Sequence, residues 1–467
     1  MTTRIHKGFA DNIILATDSY KVSHWKQYPP QTTGVFSFFE SRGGEFQEMV
    51  FFGLQYFLKR YLEGIVVTKE GIEEARDFFA AHFGSAAHFN EEGWRYILRA
   101  HGGRLPVIIK AVREGTVVPT HNVLMTVEGT DYRVPWITNY LETLLSQVWY
   151  PSTVATVSRE MKKTITESLK RTGDPALIDF KLHDFGYRGS TSVESAGLGG
   201  AAHLVNFKGT DTLAGAELLR QYYKADMPGF SIPAAEHSTI TSWCKEGERK
   251  AYDHMLEQYP EGLVAVVSDS YDIYHACTEI WGKELREKVM KRNGTLVVRP
   301  DSGNPPEVVV RVLDALGTAF GTRVNDKGYR VLDPHVRVIQ GDGIDRHSLK
   351  EVLEAMEEKG WSADNIAFGS GGGLLQKVNR DTLRFAFKCS AIEISRWGWR
   401  DVYKDPVTDP GKKSKAGRLK LIRDERGFRT ERENDSQLPN VLETVFEDGR
   451  VLCDYTLKEV RERAAVV

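Results

Sequence analysis

From about residue 151 onward the chain repeats one event. An apolar, strand-like run ends in a polar, glycine-rich tip and passes into a helix. The tips lie at 183–186, 208–211, 235–238, 268–270, 299–302, 341–343 and 369–373. With Asp184, Asp211, His237, Asp269, Asp301, Asp342 and Ser370 as markers, the intervals are 27, 26, 32, 32, 41 and 28 residues. Each interval holds one strand and one crossover helix, whereas a hairpin needs far less chain. Seven such units form a parallel α/β barrel or an open parallel sheet. Both gather the tips on one face, where chemistry is expected. The barrel is the expected form, because no early GxGxxG marks a dinucleotide-binding sheet.

Several helices can be placed by their ends. Thr153 is expected to cap a helix with Val157, Met161, Ile165 and Leu169 inward, closed by the Thr-Gly-Asp-Pro of 172–175. Asn304 and two prolines open another, with Val309, Val312, Leu313, Leu316 and Phe320 inward and Gly321 at its end. Asp345 opens a third, stopped by Gly360. Before residue 150 the pattern is mixed: helices at 72–83, 91–101 and 135–149, strands at 105–112 and 122–127. Past about 385 the repeat fades, and 404–420 reads as a mobile basic loop. The fold class expected is therefore α/β. An irregular barrel (151–384) joins a mixed α+β domain in which residues 385–467 return to pack on 1–150.

Composition narrows the function. With 467 residues the chain exceeds one ordinary core, and 41% hydrophobic with 27% charged residues is a globular balance. A net charge of -2 gives no reason to expect nucleic acid. The four cysteines are far apart, without a CxxC pair, so neither a disulfide framework nor a zinc site is expected. No apolar run is long enough for a signal peptide or a membrane span, and a cytoplasmic protein is expected.

The tips carry distinct chemistry. Four glycines within 369–373, directly after Ile366-Ala367-Phe368, suit either a phosphate cradle at a helix start or a flexible turn. Gly341-Asp342-Gly343 allows a second close backbone approach, or is an ordinary Asp-Gly turn. Arg299 and Asp301 pair a fork-shaped cation with a carboxylate fit for vicinal ribose hydroxyls, or form a salt-bridged strand end. Glu236-His237, with Asp269 one unit on, could orient an imidazole for nucleophilic work, although a lone histidine is more often structural. Asp184-Phe185-Gly186 copies the kinase metal motif, but no nucleotide loop or His-Arg-Asp segment accompanies it, so a kinase is excluded. The basic set Arg380, Lys388, Lys404, Lys412, Lys413, Lys415 and Arg418 fits a solvated face or a pyrophosphate partner.

Longer strings point to a family. ATDSYKVSH at 16–24, KQYPP at 26–30, KLHDFGYRG at 181–189, NFKGTDT at 206–212, PAAEHST at 233–239, VSDSYDIY at 267–274, RPDSGNP at 299–305, IQGDG at 339–343 and FGSGGGLLQK at 368–377 stand in order. Together they resemble the nicotinamide phosphoribosyltransferases from about Ile14 to Lys420. The stretch from Gly43 to Met49 looks shorter than in vertebrate relatives, and 392–402 and the C-terminal tail match less well.

The resemblance implies a type II phosphoribosyltransferase barrel in a homodimer with shared sites. By that resemblance the chain would join nicotinamide to phosphoribosyl pyrophosphate with Mg2+, coupled to ATP. Phe185 and the partner subunit's Tyr20 would sandwich the pyridine ring, each contact adding ~0.5–1.5 kcal/mol. Asp211 would accept the carboxamide N–H, Arg299 would meet the amide oxygen, and Ser231 would also bind substrate. Asp301 would hold the ribose hydroxyls, and Gly341, Asp342, Gly371 and Gly372 would line the 5′-phosphate site. Arg188, with Arg42, Arg380, Lys388, Lys404 and Lys412 from the partner, would surround the pyrophosphate. His237 would take phosphate from ATP, supported by Glu236 and Asp269. No direct metal ligand is assigned. Ala265 and Ile232, near the ring tunnel, would tune substrate fit. The nearest rival, nicotinate as substrate, is disfavoured by the charge of Asp211. A Schiff-base lyase would need a lysine at a strand end, and Lys208 is the candidate.

Overall fold

The structure is a computed structural model that describes residues 11–408 and 413–466. It divides into two compact units. One comprises Met1–Thr153, Tyr222–Lys224 and Asn379–Ala464; the other comprises Val154–Gln221, Ala225–Val378 and Ala465–Val467.

The first unit is built on an antiparallel sheet in which both chain ends interleave. Its order is Gly398–Asp401, Phe385–Ile394, Thr32–Ser41, Val123–Gly129, Val107–Ala111, Glu443–Glu447 and Arg450–Val451. The interior strand Thr32–Ser41 is buried along most of its length, and its Val35, Phe36, Phe38 and Phe39 are almost solvent-free. That explains why it shows an apolar run rather than clean alternation. Helices Lys69–Phe83 and Glu91–His101 lie where their periodicity places them, capped by Thr68 and Asn90. The single helix expected at 135–149 is instead two short pieces, Ile137–Tyr140 and Glu142–Ser146.

The second unit carries the serial repeat as a parallel sheet. Its order is Gly209–Thr210, Leu182–Asp184, Ile366–Ser370, Val336–Gln340, Asn293–Arg299 and Glu261–Val267. The two edges are joined by residues 230–235. Phe230 bridges Gly209 on one edge and Ala234 bridges Ala265 on the other, both in parallel sense. Backbone bonds Thr210 N–H to Phe230 O (3.0 Å) and Ala235 N–H to Ala265 O (2.9 Å) fasten this seventh stave. Pro233 has no N–H to donate, which fits a stave held by bridges rather than a strand. The result is the irregular barrel expected from the spacing.

One layer of the interior takes Ala265, Val297 and Ile339 from three staves, with Phe185, Ile232 and Ala367 packed against them. The covering helices begin with the caps read from sequence: Asn304 for Pro305–Phe320 and Asp345 for Arg346–Glu358. Thr153 is not a cap. The helix starts at Trp149, and the Thr153 hydroxyl donates to Trp149 O four residues back (2.6 Å).

Candidate active site

At the C-terminal ends of the barrel strands lies a cleft of about 710 Å3, lined by residues from 185–189, 211–212, 299–301, 341–344 and 371–377. Its floor is organised around Phe185. A Cβ on Gly369 would fall 1.9 Å from the Phe185 ring, and one on Gly341 would fall 3.1 Å away. Gly373 is glycine for another reason, since a Cβ there would meet the Ile344 carbonyl at 2.4 Å. Two of the four tip glycines are therefore explained by packing. Gly371 and Gly372 remain with their backbone at the cleft, next to Asp342.

Strand alternation sends Leu182 and Asp184 into the buried layer and leaves His183 and Phe185 toward the barrel interior. Asp184 is fully buried and accepts the Gly186 N–H (2.7 Å), shaping the turn that presents Phe185. Burial holds its carboxyl above the usual range, with the Gly186 bond working against that. His183 Nε2 meets Asp211 Oδ1 at 2.9 Å, and Ser231 Oγ–H donates to the same oxygen. Burial alone would raise the Asp211 carboxyl. The hydrogen bond and charge of His183, the Ser231 bond and the charge of Arg299 outweigh it and hold Asp211 below its ordinary range. The cleft thus presents an anionic acceptor beside an aromatic face.

On the far side Arg299 spans Asp301 with two bonds, Nε to Oδ1 (3.1 Å) and a terminal nitrogen to Oδ2 (2.8 Å). The same guanidinium stands 5.8 Å from the Phe185 ring centroid, within cation–π range. Next to this pair, Asp269 organises the histidine. It takes His237 Nε2 (2.9 Å), the Asp301 N–H (3.1 Å) and Ser302 Oγ–H (2.6 Å). Its side chain is 4% exposed, whereas that of His237 is 46% exposed. A carboxylate at Nε2 fixes that nitrogen as the donor. In the neutral ring this tautomer carries its lone pair on Nδ1, 4.0 Å from Asp301. Glu236, expected to support His237, instead accepts from Ser238 Oγ–H, and its own N–H donates to Thr239 Oγ1 at the start of the short helix His237–Thr241.

The first unit holds a second cleft, of about 800 Å3, lined by Arg42, Arg380, Arg384, Lys388 and Lys404 together with Glu142. Burial pushes the Lys388 ammonium below the usual lysine range; Arg42, Arg380 and Lys21 add to this and Glu142 opposes it. Such a concentration of cations suits a polyanion.

The structure therefore groups the expected residues into two sets. Arg188, Phe185, Asp211, Arg299, Asp301, Gly341, Asp342, Gly371 and Gly372 line the barrel cleft, with Ser231, His237 and Asp269 bonded to members of that set or to one another. Arg42, Arg380, Lys388 and Lys404 share the cationic cleft. Tyr20 is exposed in the first unit, and Lys412 lies outside the described residues. Sequence reasoning missed His183 and Ser302, both of which bind a proposed site carboxylate. The two-residue spacing of His183 and Phe185 was the available signal. Lys208 directly precedes the strand Gly209–Thr210, is ion-paired to Asp179 (2.7 Å) and does not line the cleft, so the lyase reading loses its lysine. Among the described residues no group of three or more His, Cys, Asp or Glu forms a metal cage. The barrel cleft does hold two carboxylates, Asp301 and Asp342, hard oxygen donors of the kind Mg2+ takes beside substrate phosphates.

Comparison with known proteins identifies the family. The nicotinate phosphoribosyltransferase (NAPRTase) family model matches residues 180–450, and the nicotinamide phosphoribosyltransferase N-terminal domain matches 12–109. The chain is 53% identical over 470 residues to the nicotinamide phosphoribosyltransferase of Xanthomonas campestris pv. campestris, covering 98% of each. It is 33% identical over 500 residues to that of Acinetobacter baylyi, again covering 98% of each. The nicotinate-nucleotide pyrophosphorylase of Pyrococcus furiosus shares the fold at TM-score 0.62 and 18% identity, covering 99% of this chain and 97% of the other. Human nicotinic acid phosphoribosyltransferase does so at TM-score 0.53 and 17% identity, covering 96% and 92%. No helix among the described residues is long and apolar enough to cross a membrane. The chain belongs to the nicotinate phosphoribosyltransferase family and, within it, to the nicotinamide phosphoribosyltransferases.

Proposed function

We propose that the chain transfers the 5-phosphoribosyl group of phosphoribosyl pyrophosphate to the ring nitrogen of nicotinamide, in the salvage of NAD. The observation that carries this is the anionic Asp211, hydrogen-bonded by His183 and Ser231, beside the Phe185 ring. An amide N–H suits that acceptor, whereas a second carboxylate on the ring meets like charge. The ring nitrogen lone pair forms the bond to ribose C1 as the C1–oxygen bond breaks, and pyrophosphate leaves with that electron pair. Asp301 takes the ribose hydroxyls. The backbone of Gly371 and Gly372, with Gly341, receives the 5′-phosphate. Arg299, which already holds Asp301, orients the amide oxygen. Positioning and charge stabilisation supply the acceleration, without a covalent sugar intermediate. Mg2+, held by Asp301 and Asp342 with the substrate's own phosphates, would neutralise charge on the leaving group.

Coupling to ATP belongs to His237. Its Nδ1 would attack the γ-phosphorus, the bond to the bridging oxygen would break, and ADP would leave, while Asp269 stabilises the charged ring through Nε2. A homodimer accounts for the division of site residues between two clefts, because the partner's Tyr20, Arg42, Arg380, Lys388, Lys404 and Lys412 would complete each barrel cleft. The test is product analysis of purified protein with nicotinamide or nicotinate, phosphoribosyl pyrophosphate and Mg2+, with and without ATP. Nicotinamide mononucleotide and pyrophosphate in equal amounts are expected. Preferential use of nicotinate would overturn the assignment.

A further inference from the structure

Glu40 lies on the strand Thr32–Ser41, opposite Ala386 and two residues from the Phe38–Lys388 pair. It is only 2% exposed, and its neighbours Phe39 and Arg42 line the cationic cleft of the first unit. Its two carboxylate oxygens are divided. Oε1 accepts Arg42 Nε–H at 2.7 Å, and Oε2 accepts the Lys415 ammonium. Arg42 is thus gripped at Nε, while one of its terminal nitrogens is buried and has no hydrogen-bond partner. A guanidinium held at Nε by a buried carboxylate has a fixed plane, and Arg42 presents that fixed cation to the cleft it lines.

The Lys415 side of the contact reaches further. The adjoining Ser414 is buried and exchanges two bonds with Lys404: Lys404 N–H to Ser414 Oγ and Ser414 N–H to Lys404 O, each 2.9 Å. The base of the segment is also stitched to Ser390, which accepts the Val402 and Gly417 N–H groups at 2.8 Å. Lys404 itself lines the cleft. One buried carboxylate therefore holds two of the cleft's cationic elements, Arg42 directly and Lys404 through the Lys415–Ser414 step.

We propose that Glu40 is a positioning residue for the pyrophosphate end of the substrate, setting Arg42 and the Lys404 segment in a ready geometry. This rests on the proposed function in assigning pyrophosphate to the cationic cleft. Two physical expectations have opposite signs here. If Glu40 acted only through its charge, removing it would make the cleft more positive and tighten anion binding. If it acts by positioning, removing it frees Arg42 and Lys415 and loosens binding.

The test is calorimetric binding of inorganic pyrophosphate to the full-length protein, alongside steady-state KM values. Glu40→Gln is expected to weaken pyrophosphate by on the order of tenfold, the scale seen when a buried partner orienting a ligand-binding group is removed. The KM for phosphoribosyl pyrophosphate should rise by a similar factor, with the KM for nicotinamide within about twofold of wild type. Glu40→Asp, which keeps the charge, should recover part of the loss. Lys415→Met, which severs only the segment tether, should weaken pyrophosphate in the same direction and serves if Glu40→Gln does not fold. Unchanged or tighter pyrophosphate binding in a folded Glu40→Gln or Lys415→Met protein would overturn the proposal. Should pyrophosphate binding fall as expected while no nicotinamide mononucleotide forms in wild type, the positioning role stands and the proposed reaction fails.

Discussion

Phe185, directly after the strand Leu182–Asp184, and Gly369, on the neighbouring parallel strand, approach so closely that a Cβ on Gly369 would stand 1.9 Å from Phe185 Cε2. The ring's position is thus set by a missing side chain rather than by a hydrogen bond. Gly369→Ala should push the ring into the cleft. Overpacking of this kind costs ~1–3 kcal/mol when the fold bears it; if the ring moves instead, up to that much binding free energy is lost and the KM for nicotinamide is expected to rise by roughly 5- to 150-fold. Initial-rate kinetics with a parallel melting curve checks this, since a comparable Tm shows that the ring, not the fold, has yielded.

On the proposed function, Asp211 would set the choice of base. Its carboxyl is held below the usual range by His183, Ser231 and Arg299 against the opposing effect of burial, so it stays ionised down to pH values below its ordinary 3.8. The repulsion of nicotinate by this group is therefore present throughout pH 5–8. Asp211→Asn removes the charge and should shift the nicotinamide-to-nicotinate ratio of kcat/KM toward nicotinate by on the order of tenfold or more. Competition between the two bases in one reaction reads that ratio directly.

His237 and Asp269 form a pair with separate consequences. In His237→Asn no phosphorylated protein should form from labelled ATP, and ATP should no longer lower the KM for phosphoribosyl pyrophosphate. Asp269→Asn keeps the nucleophile but loses the charge opposite Nε2, and it also disturbs the Asp301 N–H and Ser302 contacts. Phosphorylation should slow by about 10²–10⁴-fold, the range general base and charge partners contribute. Rapid-quench measurement of acid-labile phosphate separates the two variants.

Lys388 gives a pH signature. Burial, with Arg42, Arg380 and Lys21 close by, lowers its pKa from 10.5 in the free protein. A bound polyanion would raise it again, so binding is linked to proton uptake. Affinity for pyrophosphate should fall as pH rises through the lowered value, at a pH below that of an ordinary lysine. Lys388→Arg should move the break upward, because guanidinium stays charged. Pyrophosphate titrations from pH 7 to 10.5 test both statements.

The barrel was legible because its signal is local and repeated. Each strand ends in a polar tip, and one crossover helix sets the distance to the next, so all seven tips fall at one end. The stave at 230–235 was legible only as a tip, since its bridges to Gly209 and Ala265 are tertiary and Pro233 interrupts any strand pattern. Reading Thr153 as a cap followed propensity, but the Trp149 carbonyl gave its hydroxyl a partner inside a longer helix. Four tip glycines suggested a single phosphate cradle, whereas Gly369 and Gly373 answer to Phe185 and Ile344. Arg380, Lys388 and Lys404 could be grouped as a basic set, but pattern could not join Arg42 to them, because at least 338 positions separate it from them; the antiparallel pairing of Thr32–Ser41 with Phe385–Ile394 brings their segments together. Only resemblance named Arg42 in advance.

A crystal structure of the protein with nicotinamide mononucleotide tests the central claim most directly. The pyridine ring is expected against Phe185 with its amide N–H on Asp211, the ribose hydroxyls on Asp301 and the 5′-phosphate at Gly371 and Gly372. Density placing the nucleotide elsewhere, or with its amide turned away from Asp211 toward solvent, would contradict the account.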